Sequence, residues 1–378
     1  MDAPTGRGGR LPGCRPFRAA LVACLAVAGC SDDPTAPEIP GVLGEGAAGR
    51  WVTASPSSQG LDEAVLIEMG EEMDVGTFGE MSSLLVLRNG RLVYERYEDG
   101  WTPGDLHRVY SVTKSVTSLL IGISLAAGTL PGTATPAIDL LPHYDSIQNW
   151  SSQKEEITLA HVLEMRTGFE WDELATNYVN EINPVAALVA SPDWIRHVLD
   201  LPMAAAPGTR FAYNSGVSVL MGGILARGTG RPVDDFAASN LFGPLGIEGW
   251  SWDRGSSDIV NTGWGLRLRP RDMAAIGQLV LDEGTWEGIS VVPPDWVAES
   301  ALPRTEFTDG TGYGYQWWIG RGGEERAVVA WGYGGQYIIV LPTLDLVMVS
   351  TAENYLGGAV NPYTLAEYGY RTAGAPVP

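Results

Sequence analysis

The stretch RVYSVTKSVTSLLIG, residues 108–122, decides how the chain is read. It places Lys114, one of only two lysines in 378 residues, three positions after Ser111, where an apolar helix is expected to begin. If Ser111 opens that helix, Lys114 lies one turn on and the two side chains meet. The following run SVTSLLIGISLAAG carries no charge, and no acid comes until Asp139. Burial against Val112, Val116 and Leu119 penalises an ammonium, and the positive end of the helix dipole adds to the penalty. Both lower the lysine pKa toward a value at which a neutral amine can take a serine proton. The alternative is a helix-capping serine and a surface lysine, which leaves the apolar surroundings unexplained.

The other lysine tests this logic. Ser151 and Lys154 have the same spacing, but they lie in NWSSQKEE beside Glu155 and Glu156. Neighbouring carboxylates favour the charged ammonium, so this pair is expected to be a solvated helix start. No Gly-x-Ser-x-Gly elbow occurs, and the four histidines (His107, His143, His161, His197) all precede residue 198. His107 is too close in sequence to Ser111 to be assigned as a triad base. The segment PGTRFAYNSGVSVLMGGILA, 207–226, sets Tyr213 and Ser215 just before an apolar helix, in a position like that of Ser111. A tyrosine beside a lysine can pass protons between nucleophile and leaving group; the alternative is a core tyrosine with a satisfied hydroxyl.

Farther out, LDEAVLIEMGEEM (61–73) has helical apolar spacing. SLLVLRNGRLVYERY (83–97) reads as a hairpin around Asn89-Gly90. YQWWIG, RAVVAWG, QYIIVLP and LVMVSTA read as closely spaced strands before a last helix, NPYTLAEYGYR (361–371). Between these β-rich ends, LAHVLEM, PVAALVA, DWIRHVLDL and SVLMGGILA have helical spacing. The expectation is an α/β (α+β) fold: an antiparallel sheet built from N- and C-terminal segments, flanked by helices, with a mostly helical region inserted at about 111–262.

At the N-terminus, Arg7, Arg10, Arg15 and Arg18 precede the apolar run 19–29, which is too short to span a bilayer. Residues 1–29 resemble an export signal, and Val27-Ala28-Gly29-Cys30 resembles a lipoprotein cleavage box with Cys30 acylated. The alternative is an ordinary cleaved signal and a secreted soluble protein. A Pro- and Gly-rich tether is expected over 30–54, and one hydrolase domain over 55–378. The lipoprotein would be exported and anchored through Cys30, facing the periplasm or exterior, with no other membrane contact. All three cysteines lie within residues 1–30, so the body has no disulfide and no cysteine nucleophile. A net charge of −21 argues against nucleic-acid binding. No metal or other cofactor is implied, since His143 and His161 lack partners at ligand spacing.

Ser111-Val112-Thr113-Lys114, Tyr213-Asn214-Ser215 and the glycine-rich lead-in WGYGGQ (331–336) together resemble the penicillin-binding and serine β-lactamase superfamily. The likeness is to its class C-like branch, which includes carboxylesterases and 6-aminohexanoate-dimer hydrolases. It implies Ser111 as the acylated nucleophile, Lys114 as its base and Tyr213 as proton relay, with backbone N–H groups of Ser111 and Tyr333 as the oxyanion hole. It also implies Ser215, Trp264, Trp331, Gly334 and Gly335 around the substrate, with Gly332, Gly334 and Gly335 letting substrate approach the backbone. Trp171, Tyr178, Trp250, Trp252 and Trp264 could line an aromatic pocket or be core.

Two features depart from class C β-lactamases. Ser215 stands where they have Asn in Tyr-x-Asn, Asn214 being one place off. No lysine follows Lys154, so the Lys-Thr-Gly cation that holds a substrate carboxylate is missing, with Trp331 or Tyr333 in its region. Arg267, Arg269 and Arg326 are the candidate replacements. The implied function is hydrolysis of small esters or short amides through an acyl-serine. Alternatives are a class C-like β-lactamase or D-alanyl-D-alanine carboxypeptidase, or a non-catalytic penicillin-recognising or cell-wall-binding lipoprotein. Oligomeric state is not legible.

Overall fold

The computed structural model describes residues 39–178 and 180–378. Cys30 and the expected export signal lie outside the described residues. The chain lays down β1 (Gly46–Ala48), β2 (Trp51–Thr53), α1 (Glu63–Asp74) and the hairpin β3 (Met81–Arg88)–β4 (Arg91–Tyr97). Asp62 starts α1 by accepting the Ala64 N–H. The hairpin turns at Asn89 and Gly90, both at positive φ (51° and 71°), as a two-residue turn between twisted strands requires.

After β5 (His107–Arg108) come α2 (Val112–Ala126) and the mostly helical stretch α3 (Leu159–Leu163), α4 (Pro184–Ala190), α5 (Trp194–Leu199), α6 (Ser215–Thr229) and α7 (Val233–Ala237). The chain returns through β6 (Ser251–Trp252) and β7 (Leu266–Leu268), which join β5 in a small sheet ordered β5-β7-β6. There follow α8 (Pro270–Leu281), the ribbon β8 (Thr285–Trp286)–β9 (Ile289–Ser290) and α9 (Pro294–Ser300). The last run is β10 (Thr305–Glu306), β11 (Gly312–Tyr313), β12 (Trp318–Ile319), β13 (Val328–Gly332), β14 (Gln336–Leu341), β15 (Leu346–Ala352) and α10 (Pro362–Thr372).

The two ends of the chain build one ten-stranded sheet, ordered β1-β2-β4-β3-β15-β14-β13-β12-β11-β10. Every pairing is antiparallel except β2 with β4. Its central strands read as continuous apolar runs because both faces are covered. On β14, Ile338 and Val340 face the core that contains α2 and α8, whereas Tyr337, Ile339 and Leu341 face the core of α1 and α10. This is the expected sheet, completed by both termini with helices inserted.

One boundary is corrected. Residues 46–53, expected to be tether, form β1 and β2, because Trp51 and Thr53 alternate with exposed Val52 and turn inward. Trp51 is buried with its ring edge-on to Trp286 at 5.8 Å. Pairing and one large apolar side chain outweigh the loop-like composition around them.

Candidate active site

α2 is buried on nearly every side, so its N-terminus is a fixed point from which side chains can be aimed. Ser111 sits at that N-terminus but its side chain caps nothing. The hydroxyl instead accepts from Lys114 Nζ at 3.0 Å. Tyr110, one residue earlier, is held at φ 45°, a conformation that a bulky side chain avoids and that surrounding packing must impose. The turn re-aims the chain from β5 into the helix and leaves Ser111 partly exposed.

Lys114 is almost fully buried. Its ammonium has three donors and three acceptors: Ser111 Oγ and Ser215 Oγ at 3.0 Å, and Gly263 O at 2.8 Å. Gly263 is held in place by Asn261 Oδ1, which accepts from the Gly263 and Trp264 N–H groups. Burial pushes the Lys114 pKa down to about 8, against an upward pull from the Glu173 carboxylate. Nearby, Lys114 Nζ lies 5.0 Å from the centre of the Tyr213 ring. Burial and the Glu173 charge hold the Tyr213 pKa above the ordinary tyrosine value, against a downward pull from the neighbouring Ser111 hydroxyl. The resting site therefore has a lysine that readily loses its proton and a tyrosine that keeps one.

Asn214 starts α6 by accepting from the Val217 N–H, so it points along the helix and away from Lys114. Ser215 takes the position beside the lysine instead. It is buried and hydrogen-bonded to both Lys114 and Glu173. Glu173 was missed in the sequence. Its side chain is fully buried and accepts from Ser215 N (2.6 Å), Ser215 Oγ (2.7 Å), Trp171 Nε1 (2.7 Å) and Tyr178 OH (2.9 Å). Such donors are what a buried carboxylate needs. The legible signal was the flanking pair Trp171 and Tyr178, both polar-tipped aromatics around an acid.

The β13–β14 turn closes the site from the other side. A side-chain carbon on Gly332 would lie 2.3 Å from Val109 O, so the end of β13 runs directly beside the backbone leading to Ser111. Among the described residues no acceptor takes the N–H of Ser111 or of Tyr333. The Tyr333 ring packs on Tyr110 (5.7 Å), Tyr178 (5.1 Å) and Tyr355 (5.9 Å). Gly334 and Gly335 are at φ 86° and 104°, and added carbons there would strike Tyr355 and Ala352. Tight turning against the chain's own side chains therefore requires glycine at both positions.

The aromatic candidates pack on one another and on their neighbours. Trp264 stacks on Trp194 at 5.4 Å, Trp250 and Trp252 pack around Phe242, and Trp171 is buried on Glu173. Trp331 joins Trp318, Tyr337 and Tyr363. Trp318, Trp331 and Tyr363, with Phe211, Phe307 and Leu174, line a cleft of about 660 Å³, whose lining does not include Ser111 but shares Trp318 with Tyr213 (5.5 Å).

Of the candidate cations, Arg267 and Arg108 share Asp253, Arg269 donates to Gly104 O, and Arg326 donates to Gly323 O. His107 is buried with its ring tilted against Trp101 at 4.1 Å, and burial pushes its pKa down to about 4. Lys154 is a correction: it is buried, donating to Gln148 O (3.0 Å) and Leu199 O (2.6 Å), rather than solvated. Ser151 caps the turn by accepting from Gln153 N, so no Ser–Lys contact forms there. Among the described residues no group of three or more His, Cys, Asp or Glu could hold a metal ion, and no helix is long and apolar enough to cross a membrane.

A large two-faced sheet and a buried helix opening on Ser111-x-x-Lys114 beside Tyr213 define the penicillin-binding and serine β-lactamase-like class of fold. The Beta-lactamase family model matches residues 80–357, and the chain belongs to that family of hydrolases. It is similar to the 6-aminohexanoate-dimer hydrolase of Paenarthrobacter ureafaciens, 26% identical over 299 residues and covering 72% of each chain. Among solved structures it resembles a family VIII carboxylesterase (TM-score 0.64, 14% identity, 88% of this chain and 99% of that one). It also resembles the octameric penicillin-binding protein homologue of Pyrococcus abyssi (TM-score 0.63, 18% identity, 83% and 77%). At these identities the two structures speak to fold alone.

Proposed function

We propose that the chain is a serine hydrolase that cleaves esters or short amides through an acyl-serine on Ser111. The observation that carries this reading is the 3.0 Å contact between Ser111 Oγ and a buried lysine whose pKa is pushed down to about 8. At neutral pH a fraction on the order of one tenth of Lys114 is the free amine. That amine takes the Ser111 proton as Oγ attacks the substrate carbonyl; the new C–O bond forms and the carbonyl electron pair moves onto oxygen. The N–H groups of Ser111 and Tyr333 have no acceptor among the described residues and are the donors for that oxyanion, each worth ~10²–10³ in rate. As the tetrahedral intermediate collapses, Tyr213 gives its proton to the leaving alcohol or amine and is reprotonated from Lys114. Water then repeats the cycle on the acyl-serine, and Ser111 recovers its proton.

Substrate class follows from charge. No lysine lies on β13, and the three candidate arginines, Arg267, Arg269 and Arg326, are each engaged elsewhere. A substrate carboxylate would lose a charge-assisted bond of ~1.5–3 kcal/mol, roughly ten- to hundredfold in selection. Neutral short esters therefore stand ahead of β-lactams and D-Ala-D-Ala peptides. The test is one purified enzyme assayed at one pH against p-nitrophenyl esters, a chromogenic cephalosporin and a D-Ala-D-Ala peptide, with fluorophosphonate labelling alongside. Ser111→Ala should lose turnover and label, whereas Ser151→Ala should keep both. Carboxylated substrates winning by about tenfold would replace the esterase reading with a β-lactamase or peptidase.

A further inference from the structure

Lys114 can act as a base only when its lone pair faces Ser111. A neutral amine has two N–H bonds and one lone pair to distribute over three neighbours. Gly263 O has no proton, so it must receive an N–H. The remaining N–H and the lone pair are divided between two hydroxyls, Ser111 and Ser215, that are equally close. A hydroxyl has a single proton and rotates to suit its neighbours. If Ser215 turned its proton toward Lys114, the lone pair would be spent there and Ser111 would face an N–H.

The Ser215 proton is committed to Glu173 Oε1 at 2.7 Å. An ionised carboxylate accepts and cannot donate, so Ser215 can only accept from Lys114. We propose that Glu173 is a positioning residue that, through Ser215, points the Lys114 lone pair at Ser111. This inference rests on the acyl-serine reading above. Glu173 is suited to the task because Trp171, Tyr178 and the Ser215 N–H hold it as a carboxylate in a buried place. The titratable groups facing Lys114 and Glu173 are Tyr178 and Tyr213, with Tyr313 and Tyr333 behind them. Burial raises the pKa of Tyr178, Tyr213 and Tyr313, so these phenols keep their protons, and Glu173 is the facing anion and Lys114 the facing cation.

Two effects of Glu173→Gln follow and can be read apart. The amide can donate to Ser215 Oγ and free the hydroxyl proton to compete for the lysine, so kcat should fall roughly ten- to hundredfold with KM nearly kept. Removing the negative charge also removes the upward pull on Lys114, so the acid limb of kcat/KM should move to lower pH. A residue that merely braces the 171–183 loop would lower Tm but leave that limb in place. Glu173→Asp keeps the charge and should hold the limb at its wild-type position even where its shorter reach lowers kcat. Ser215→Ala removes the competing hydroxyl and should lower kcat severalfold; because the kcat loss in Glu173→Gln runs through that hydroxyl, the double variant should have a kcat no lower than that of Ser215→Ala alone.

The experiment is the pH profile of p-nitrophenyl ester hydrolysis for the wild type and these four variants, each checked for Tm and for labelling at Ser111. Additive losses, or a Glu173→Gln enzyme with wild-type kcat and an unmoved limb, overturn the inference while labelled wild-type Ser111 leaves the acyl-serine reading standing. Should Glu173→Gln fail to fold, Glu173→Asp and Ser215→Ala carry the test: a limb displaced in the first or an unchanged kcat in the second overturns it. Wild-type label mapping away from Ser111 overturns both.

Discussion

Replacing each of the two lysines by methionine should separate chemistry from stability. Lys154 Nζ donates to Gln148 O and Leu199 O, and Lys154→Met leaves both carbonyls without that donor. A buried acceptor left unsatisfied costs ~1–3 kcal/mol, so the pair is worth about 2–6 kcal/mol before relaxation. Lys114→Met removes a donor from Gly263 O, a cost of similar kind. It also removes a group whose folded pKa of about 8 lies below the value of 10.5 it has when unfolded. At pH 7 the wild type holds that lysine charged against its burial, a destabilisation of ~3 kcal/mol at ~1.4 kcal/mol per unit. The sign is that the unfolded state binds the proton more tightly, so wild-type stability should rise between pH 8 and 10.5, a gain Lys114→Met lacks. At pH 7 the two terms for Lys114 nearly offset, and Tm should change little. The expected pattern is Lys154→Met unfolding several degrees early with near-normal kcat, and Lys114→Met folded but slower by ~10²–10⁴, the worth of a general base. Thermal unfolding and ester hydrolysis on the same samples measure both. A stable Lys154→Met that is inactive, or a Lys114→Met with full activity, would refute the assignment of the base.

In the wild type, kcat/KM should climb about tenfold per pH unit below pH 8 and level off above it, because only the neutral Lys114 takes the serine proton; a limb centred below pH 6 would contradict the buried-amine account. Gly332→Ala forces a carbon against Val109 O beside the nucleophile, so activity should drop steeply with ~1–3 kcal/mol lost in denaturant unfolding; an active, equally stable variant would mean that β13 stands off from Ser111. For the expected lipid anchor, expression in a bacterial host should place the protein in the membrane fraction and Cys30→Ser should release or misprocess it. Mass spectrometry finding an unacylated, fully soluble wild type would remove the anchor.

What could be read in the sequence was what local pattern controls. Asn89-Gly90 between apolar runs specified a turn, and runs such as QYIIVL specified strands covered on both faces. Ser111 and Lys114 were legible because a helix fixes side chains one turn apart, whatever the rest of the fold does. Lys154 was misread for the converse reason. Its neighbours in sequence are charged, but the carbonyls it holds come from residues 148 and 199, and the second of these is brought to it only by tertiary folding. Trp264 and Trp331 were placed by motif position, and their rings pack on Trp194 and Trp318, contacts that sequence spacing does not specify. Glu173 sits in WDELATN, a polar segment whose composition signals a solvated loop, and its burial depends on donors that converge from two separate segments.

The serine at position 215 and the buried acid at position 173 are connected. An asparagine beside the lysine presents a fixed donor and a fixed acceptor, and its orientation is set by the framework that holds it. Ser215 presents one rotating hydroxyl, which by itself would leave the direction of its proton open. A serine at this position works only if another group removes that freedom, and the group must accept without being able to donate. Glu173 meets the requirement because it is ionised, buried and already satisfied by three donors besides the Ser215 hydroxyl. Its charge has a second consequence, raising the pKa of Lys114 that burial alone would depress further. A substitution that looks like the loss of an expected asparagine is therefore one half of a pair, and the other half lies in a loop that no residue spacing connects to it.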